Sequence, residues 1–226
     1  MRARYSCILI MILLGLSIGC IEEKISPEKI AEKMINNQGK IQDISYTEVL
    51  NFLDNGQAKN YELDFTYKKP NMFKKGLKNS TGITNQLIFS NGTTTWIYDR
   101  DKNFVFISDS LPNVIPEPIY LDIIKSMIDN YTIKLEAVEH NNISNKSPIY
   151  IINLIPNESR YIVPGNWSYQ LWVESKNWFP LKIISYDNGK PISVLEYRNV
   201  IINSGLKDED FIFRIPNTAE VIIKKD

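Results

Sequence analysis

Few side chains in this 226-residue chain could carry covalent chemistry. It has one histidine, His140, and two cysteines, Cys7 and Cys20. His140 follows a strand-like run and precedes two asparagines, which favours a solvated turn residue over a general base. A Cys-His nucleophile or a histidine-rich zinc site would need more of these residues. We therefore expect neither an enzyme nor a cofactor.

Two acidic clusters are the candidates for holding a metal ion. Asp208, Glu209 and Asp210 form one cluster, and Asp99 with Asp101 forms the other. Carboxylates can hold a hard cation together with backbone oxygens, but neither cluster follows the D-x-[DN]-x-[DN]-G spacing of a calcium loop. Acidic residues in turns also serve solubility alone. The sequence predicts no metal site.

The N-terminus has the pattern of a targeting segment. Arg2 and Arg4 precede an apolar run from Cys7 to Ile18, and charged residues begin shortly after Cys20. The run of roughly 12 residues suits a signal peptide, because crossing a bilayer takes about 20 apolar residues. The predicted organisation is a signal peptide over 1–19, a short tether over 20–25 and a single domain over 26–226.

The stretch LLGLSIGCIEEK resembles the lipobox of bacterial and archaeal lipoproteins, with Ser17 where that pattern usually has leucine. The resemblance implies that Cys20 is lipidated and becomes the first residue after cleavage. A plain cleaved signal and a retained anchor are the alternatives. All three place the rest of the chain outside the cytoplasm. We expect a lipid-anchored protein on the extracytoplasmic face of the cell membrane.

Composition indicates an ordinary globular domain. The chain is 43% hydrophobic, and 26 basic residues balance 26 acidic ones. Nucleic-acid binding requires a basic field, and a balanced chain without a Lys/Arg patch does not provide one. We expect no nucleic-acid partner.

Asparagine usage gives a second indication of export. Several triplets satisfy N-x-S/T, the acceptor pattern for glycosylation in an exported chain. The alternative is that these asparagines are turn residues that happen to lie close together. The candidate positions are Asn79, Asn91, Asn130, Asn142, Asn145, Asn157 and Asn166.

The elements that would position any site are mostly strands. Ser26 as N-cap, Pro27 at the first position and Gly39 as a stop predict one short amphipathic helix. A second amphipathic helix is predicted over Ile119 to Ile128 from apolar residues spaced by three and four. Asn188-Gly189 is a strong hairpin signal. Runs of β-branched and aromatic residues bounded by turn residues predict twelve strands, near 44–53, 61–67, 71–77, 86–90, 94–98, 104–108, 132–139, 148–154, 169–174, 181–186, 193–200 and 219–223.

Short loops between successive strands predict an antiparallel meander, and two separated amphipathic helices would cover one face of it. This is an α+β design. A sheet that curls must fill its concave side with core, with a lid or with a ligand.

Three stretches resemble the LolA/LolB-type lipoprotein-carrier superfamily, which includes the regulator RseB. The first two are LDFTYKKPNMFKK, from Leu63, and SNGTTTWIYDRDKNFVFI, from Ser90. The third is the closing segment YQLWVESKNWFPLKIISYDNGKPISVLEYRNVIINSGLKDEDFIFRIPNTAEVI, from Tyr169. The likeness lies in the order of elements and covers most of the chain after the signal peptide.

The resemblance implies an incomplete β-barrel, a curled antiparallel sheet with amphipathic helices as a lid. Such proteins bind a lipid or an acyl chain for transfer or sequestration and perform no covalent chemistry. The alternative function is an RseB-like sensor that binds a membrane protein. For each candidate lining residue, packed core is the competing interpretation. The candidates for the cavity lining are Trp96, Tyr98, Ile119, Ile123, Met127 and Trp172.

Overall fold

The structure is a computed structural model that describes residues 25–54, 57–79, 81–109, 124, 130–140, 147–157 and 167–224. These residues form α1 (Pro27–Lys40), twelve strands and a short 3₁₀ helix, Asp208–Phe211. The strands are β1 (Asp43–Asp54), β2 (Gln57–Lys68), β3 (Met72–Lys78), β4 (Thr84–Asn91), β5 (Thr95–Asp99), β6 (Phe104–Ser108), β7 (Tyr131–Glu139), β8 (Ile149–Pro156), β9 (Trp167–Glu174), β10 (Phe179–Asp187), β11 (Lys190–Ile202) and β12 (Glu220–Lys224).

The helix α1 forms where the sequence predicts it. The Ser26 hydroxyl accepts a hydrogen bond from the Lys29 backbone N–H, and Pro27 occupies the first turn. Its apolar face buries Ile30, Ala31 and Met34. The second predicted helix lies outside the described residues except for Ile124, which has helical backbone and is buried in the core.

All twelve predicted strands are confirmed, but the predicted pairing is only partly correct. The strands form one sheet in the order β12-β6-β5-β4-β3-β2-β1-β11-β10-β9-β8-β7. Two antiparallel meanders, β1–β6 and β7–β11, join through the pair β1–β11. The last strand, β12, runs parallel to β6. The expectation of a wholly antiparallel sheet is therefore wrong at that edge.

The sheet is open, with β12 and β7 as its two edges. The predicted lid is correspondingly small in the described part of the chain, where α1 is its one complete helix. Asn188 and Gly189 turn β10 into β11 with positive φ angles of 49° and 76°, the backbone that a tight two-residue hairpin needs.

The two faces of the sheet differ in what covers them. Successive residues of a strand point to opposite faces, so the register assigns each residue to one face. We call the face of Ile44, Tyr46 and Phe65 the helix face, because these residues share the core with α1. The opposite face, which carries Asp43 and Val49, we call the tail face, because the segment after β11 is fastened to it.

That segment, residues 203–219, which we call the tail segment, is held at both ends. Asp43 accepts hydrogen bonds from the Ser204 N–H (2.7 Å), the Ser204 hydroxyl (2.8 Å) and the Gly205 N–H (3.0 Å). Phe211 is fully buried, and the Phe213 ring lies 5.0 Å from that of Phe89. The chain then returns to the sheet as β12.

Candidate functional site

An apolar row crosses the helix face in the part of the sheet that α1 does not reach. Ile88, Ile97, Phe106 and Ile222 are paired in succession across β4, β5, β6 and β12. The first three are half-buried, and Ile222 is 45% exposed. Three strand spacings give the row a length of about 14 Å. It is long enough to contact much of an extended acyl chain.

Two charged residues lie at the inner end of this apolar row. Lys75 is paired with Ile88 and is half-buried. Glu48 lies on the same face two strands further in and is only 7% exposed. Burial raises the pKa of Glu48 above its usual value, and the positive charge of Lys75 opposes that rise. The site therefore joins an apolar surface to a poorly hydrated carboxylate and an ammonium group.

The residues that the sequence offers for catalysis or metal binding occupy strand ends and turns. His140 is exposed at the end of β7. The acidic clusters belong to turns: Asp99 accepts from the Lys102 N–H (3.0 Å), and Asp210 accepts from the Lys207 N–H (2.8 Å). In the described residues no group of three or more His, Cys, Asp or Glu side chains could hold a metal ion.

The three described aromatic candidates lie on the tail face. Tyr98 is paired with Leu87 and its ring contacts Phe213 at 5.8 Å between centroids. Trp96 points to the same face as Tyr98. Trp172 lies on β9, and the ammonium group of Lys182, on β10, lies 4.7 Å from the centre of its ring. The remaining candidates, Ile119, Ile123 and Met127, lie outside the described residues.

The apolar row was missed from the sequence because the aromatic residues of β5, which were selected instead, lie on the opposite face of the sheet. Ile97 stands between Trp96 and Tyr98, so it faces the opposite side of the strand. The alternation of a strand shows that neighbouring side chains point to opposite faces. Only the register between strands identifies which of the two faces carries the core.

The described sequons occupy turns and a strand end. The Asn79 carboxamide oxygen accepts from the Thr81 N–H (3.0 Å) and the Thr81 hydroxyl (2.7 Å). Asn91 accepts from Thr93 in the same way. The Thr132 hydroxyl donates to Asn157 (2.7 Å), and Asn130 precedes β7. The other three, Asn142, Asn145 and Asn166, lie outside the described residues.

Cys20 and the whole predicted signal segment also lie outside the described residues. In the residues that the structure describes, no helix has both the length and the apolarity to cross a bilayer.

Solved structures match this chain at low sequence identity. An uncharacterized conserved protein from Thermus thermophilus matches with 12% identity and a TM-score of 0.49, over 87% of this chain and 98% of that chain. The Pseudomonas aeruginosa MucA/MucB complex matches with 13% identity and a TM-score of 0.47, over 81% and 61%. A LolA superfamily protein from Nitrosomonas europaea matches with 15% identity and a TM-score of 0.38, over 84% and 98%.

A LolA superfamily protein and MucB, which belong to the superfamily that the sequence resembles, are thus among the solved structures that this chain is similar to. No protein-family model matches the chain, and no curated protein matches it either.

Proposed function

We propose that this chain is an extracytoplasmic protein that binds a lipid or acyl chain on the helix face, for transfer or sequestration and without catalysis. The apolar row of Ile88, Ile97, Phe106 and Ile222 is the observation that supports this function most directly. Burying a ligand methylene against it contributes about 0.8 kcal/mol. Ile119, Ile123 and Met127 are proposed as lid contacts over the same ligand.

The first test is native mass spectrometry of the full chain purified in mild detergent. The proposal expects a co-purifying lipid or acyl chain, which would also identify the ligand class. A protein that stays empty when offered a total lipid extract would contradict the proposal.

A matched pair of variants then locates the site. Ile97 and Ile184 are both half-buried strand isoleucines, but Ile97 lies on the helix face and Ile184 on the tail face. With parinaric acid as a fluorescent probe, Ile97→Ala should weaken binding roughly tenfold, about 1.4 kcal/mol. Ile184→Ala should leave the affinity unchanged. Equal losses in the two variants would place the ligand elsewhere.

The anchor is proposed to be a lipid on Cys20, after cleavage of residues 1–19 and ahead of the tether 20–25. We expect Cys20→Ser to abolish incorporation of a labelled fatty acid and to release the protein from the membrane fraction. An unprocessed N-terminus with unchanged membrane association would support a retained anchor instead. The single domain 26–226 would then lie at the membrane surface in either case.

Glycosylation of the sequons is a separate proposal. It is supported by the turn positions of Asn79 and Asn91, where the backbone is accessible at a loop. Intact glycopeptide masses from the natural host should show modified Asn79 or Asn91. Unmodified peptides at all seven sites would leave these asparagines as turn residues only.

A second candidate function is a sensor or scaffold module that binds a membrane protein. A cleft of about 240 Å³ at the ends of β1, β2 and β11 supports it. Its apolar lining includes Leu53, 59% exposed, Ala58 and Val194, beside a hydrogen-bonded pair in which Asn60 donates to Asn51 (2.7 Å). Leu53→Arg should abolish cross-linking to a partner and leave parinaric acid binding intact. The reverse result would favour the carrier.

A further inference from the structure

The strand β12 leaves an apolar edge of the sheet without a neighbouring strand in the described residues. Among the strands that the structure describes, it is an outermost strand and pairs only with β6. Val221, Ile222 and Ile223 are 43%, 45% and 58% exposed. An exposed apolar edge strand is a template for pairing with another strand, and natural sheets usually protect such edges.

The direction of the backbone groups shows which residues face outward. The Glu220 N–H donates to the Asn103 carbonyl (3.0 Å), so the peptide groups of Glu220 point toward β6. The backbone N–H and C=O of one residue point to the same side of a strand, and those of the next residue point to the other side. The backbone groups of Val221 and Ile223 therefore point away from β6, toward the free edge.

The sequence of β12 is complementary to itself in the antiparallel sense. In Glu-Val-Ile-Ile-Lys, a two-fold axis at Ile222 places Val221 opposite Ile223 of a second copy. It also places Glu220 opposite Lys224, residues of opposite charge. Opposite charges and branched apolar residues in facing positions both stabilise cross-strand pairs.

The direction of the backbone groups is compatible with this register. A two-fold axis at Ile222 makes Val221 and Ile223 of the two copies hydrogen-bonded pairs, and these are the residues whose backbone groups face outward. An axis at Val221 or Ile223 would also pair outward-facing groups but would lose the Glu220–Lys224 pair, whereas an axis between two residues would oppose groups that are already bonded to β6. From this agreement we propose that two copies of this chain associate through antiparallel pairing of their β12 strands, centred on Ile222.

Disulfide trapping tests the proposed register. The test uses the full chain with Cys7→Ser and Cys20→Ser, so that an introduced cysteine is the only thiol. Two Ile222→Cys residues would face each other in a non-hydrogen-bonded pair, with Cα atoms about 4.5 Å apart, which permits a disulfide. Two Ile223→Cys residues would be offset along the strands and beyond disulfide reach. The proposal expects cross-linked dimer with Ile222→Cys at several-fold the yield of Ile223→Cys.

A proline variant separates association from folding. The Val221 N–H faces outward, so Val221→Pro removes a donor to the second copy and none to β6. Sedimentation of the same thiol-free chain in detergent should show twice the mass of one chain, and Val221→Pro should halve it with an unchanged circular dichroism spectrum. A monomeric parent chain, equal cross-linking at both positions, or open-ended polymers from pairing of β12 with β7 would each overturn the proposal.

Discussion

Two regions of the helix face consist of similar apolar strands but differ in how far their side chains are buried. On β8 and β9, Ile152, Leu154, Leu171 and Val173 are fully buried beneath the cover that includes α1. On β4, β5 and β6, Ile88, Ile97 and Phe106 are half-buried. We call these the closed half and the open half. Whether an apolar sheet face becomes core or stays accessible therefore depends on its cover as well as on its strand sequence.

The cover of the closed half is fastened by specific contacts. The Asn37 side chain donates to the Asn177 carbonyl, and the Lys33 ammonium group lies 4.4 Å from the centre of the Trp178 ring. Burial raises the pKa of Tyr169 to about 12, with Tyr131 beside it adding to the rise. The open half is instead supported from behind, by the segment on the tail face.

The largest expected effect tests that support. Phe211 is fully buried behind the open half, so Phe211→Ala should reduce the free energy of unfolding by about 3–5 kcal/mol. Urea denaturation measures it. The exposed neighbour Ile212→Ala is the control and should change stability by less than about 0.5 kcal/mol. Equal effects would mean that the tail segment does not support the sheet.

The next effect compares the halves directly. Leu171→Ala in the closed half should cost about 2–5 kcal/mol, because a fully buried side chain leaves a cavity. Ile97→Ala in the open half should cost about 1 kcal/mol, since part of that side chain already meets solvent. Urea midpoints and slopes give both values. A larger loss at Ile97 would show that the open half is core.

A smaller effect concerns the attachment of the tail segment to Asp43 at low pH. Burial raises the pKa of Asp43, but hydrogen bonds from Ser204, Gly205 and Leu206 outweigh it and hold the pKa below its usual value. The resulting stability is present above the unfolded pKa of about 3.9 and is lost as pH falls through the folded pKa.

Asp43→Asn should therefore cost about 1–3 kcal/mol at pH 7 and much less at pH 2. Urea denaturation at both values checks it. A loss that does not change with pH would show that the charge of Asp43 is immaterial.

The smallest effect concerns the buried carboxylate next to the open half. The pKa of Glu48 is raised, so wild-type stability falls as pH rises from the unfolded pKa of about 4.3 through the folded pKa. Glu48→Gln removes this penalty and should raise the urea midpoint at pH 7 but not at pH 4. Glu62→Gln, on the tail face, should show no such gain. A lower midpoint for Glu48→Gln at pH 7 would indicate a stabilising pair with Lys75.

Local sequence patterns predicted the elements well and their long-range arrangement poorly. Ser26 and Pro27 located α1, and Asn188-Gly189 located a hairpin, because caps and turns depend on a few adjacent residues. The pairing of β1 with β11 and the parallel pairing of β12 with β6 join residues far apart in sequence. No local pattern encodes such pairs. The candidate site depends on that register, which explains why Trp96 was chosen and Ile97 was not.

The most direct test of the central claim is amide hydrogen exchange of the full chain with and without palmitate. A ligand on the open half should slow exchange in β4, β5 and β6, at residues 84–108. It should leave β8 and β9, at residues 149–156 and 167–174, unchanged. Protection confined to the closed half, or none at saturating palmitate, would contradict the claim that the open half is the binding surface.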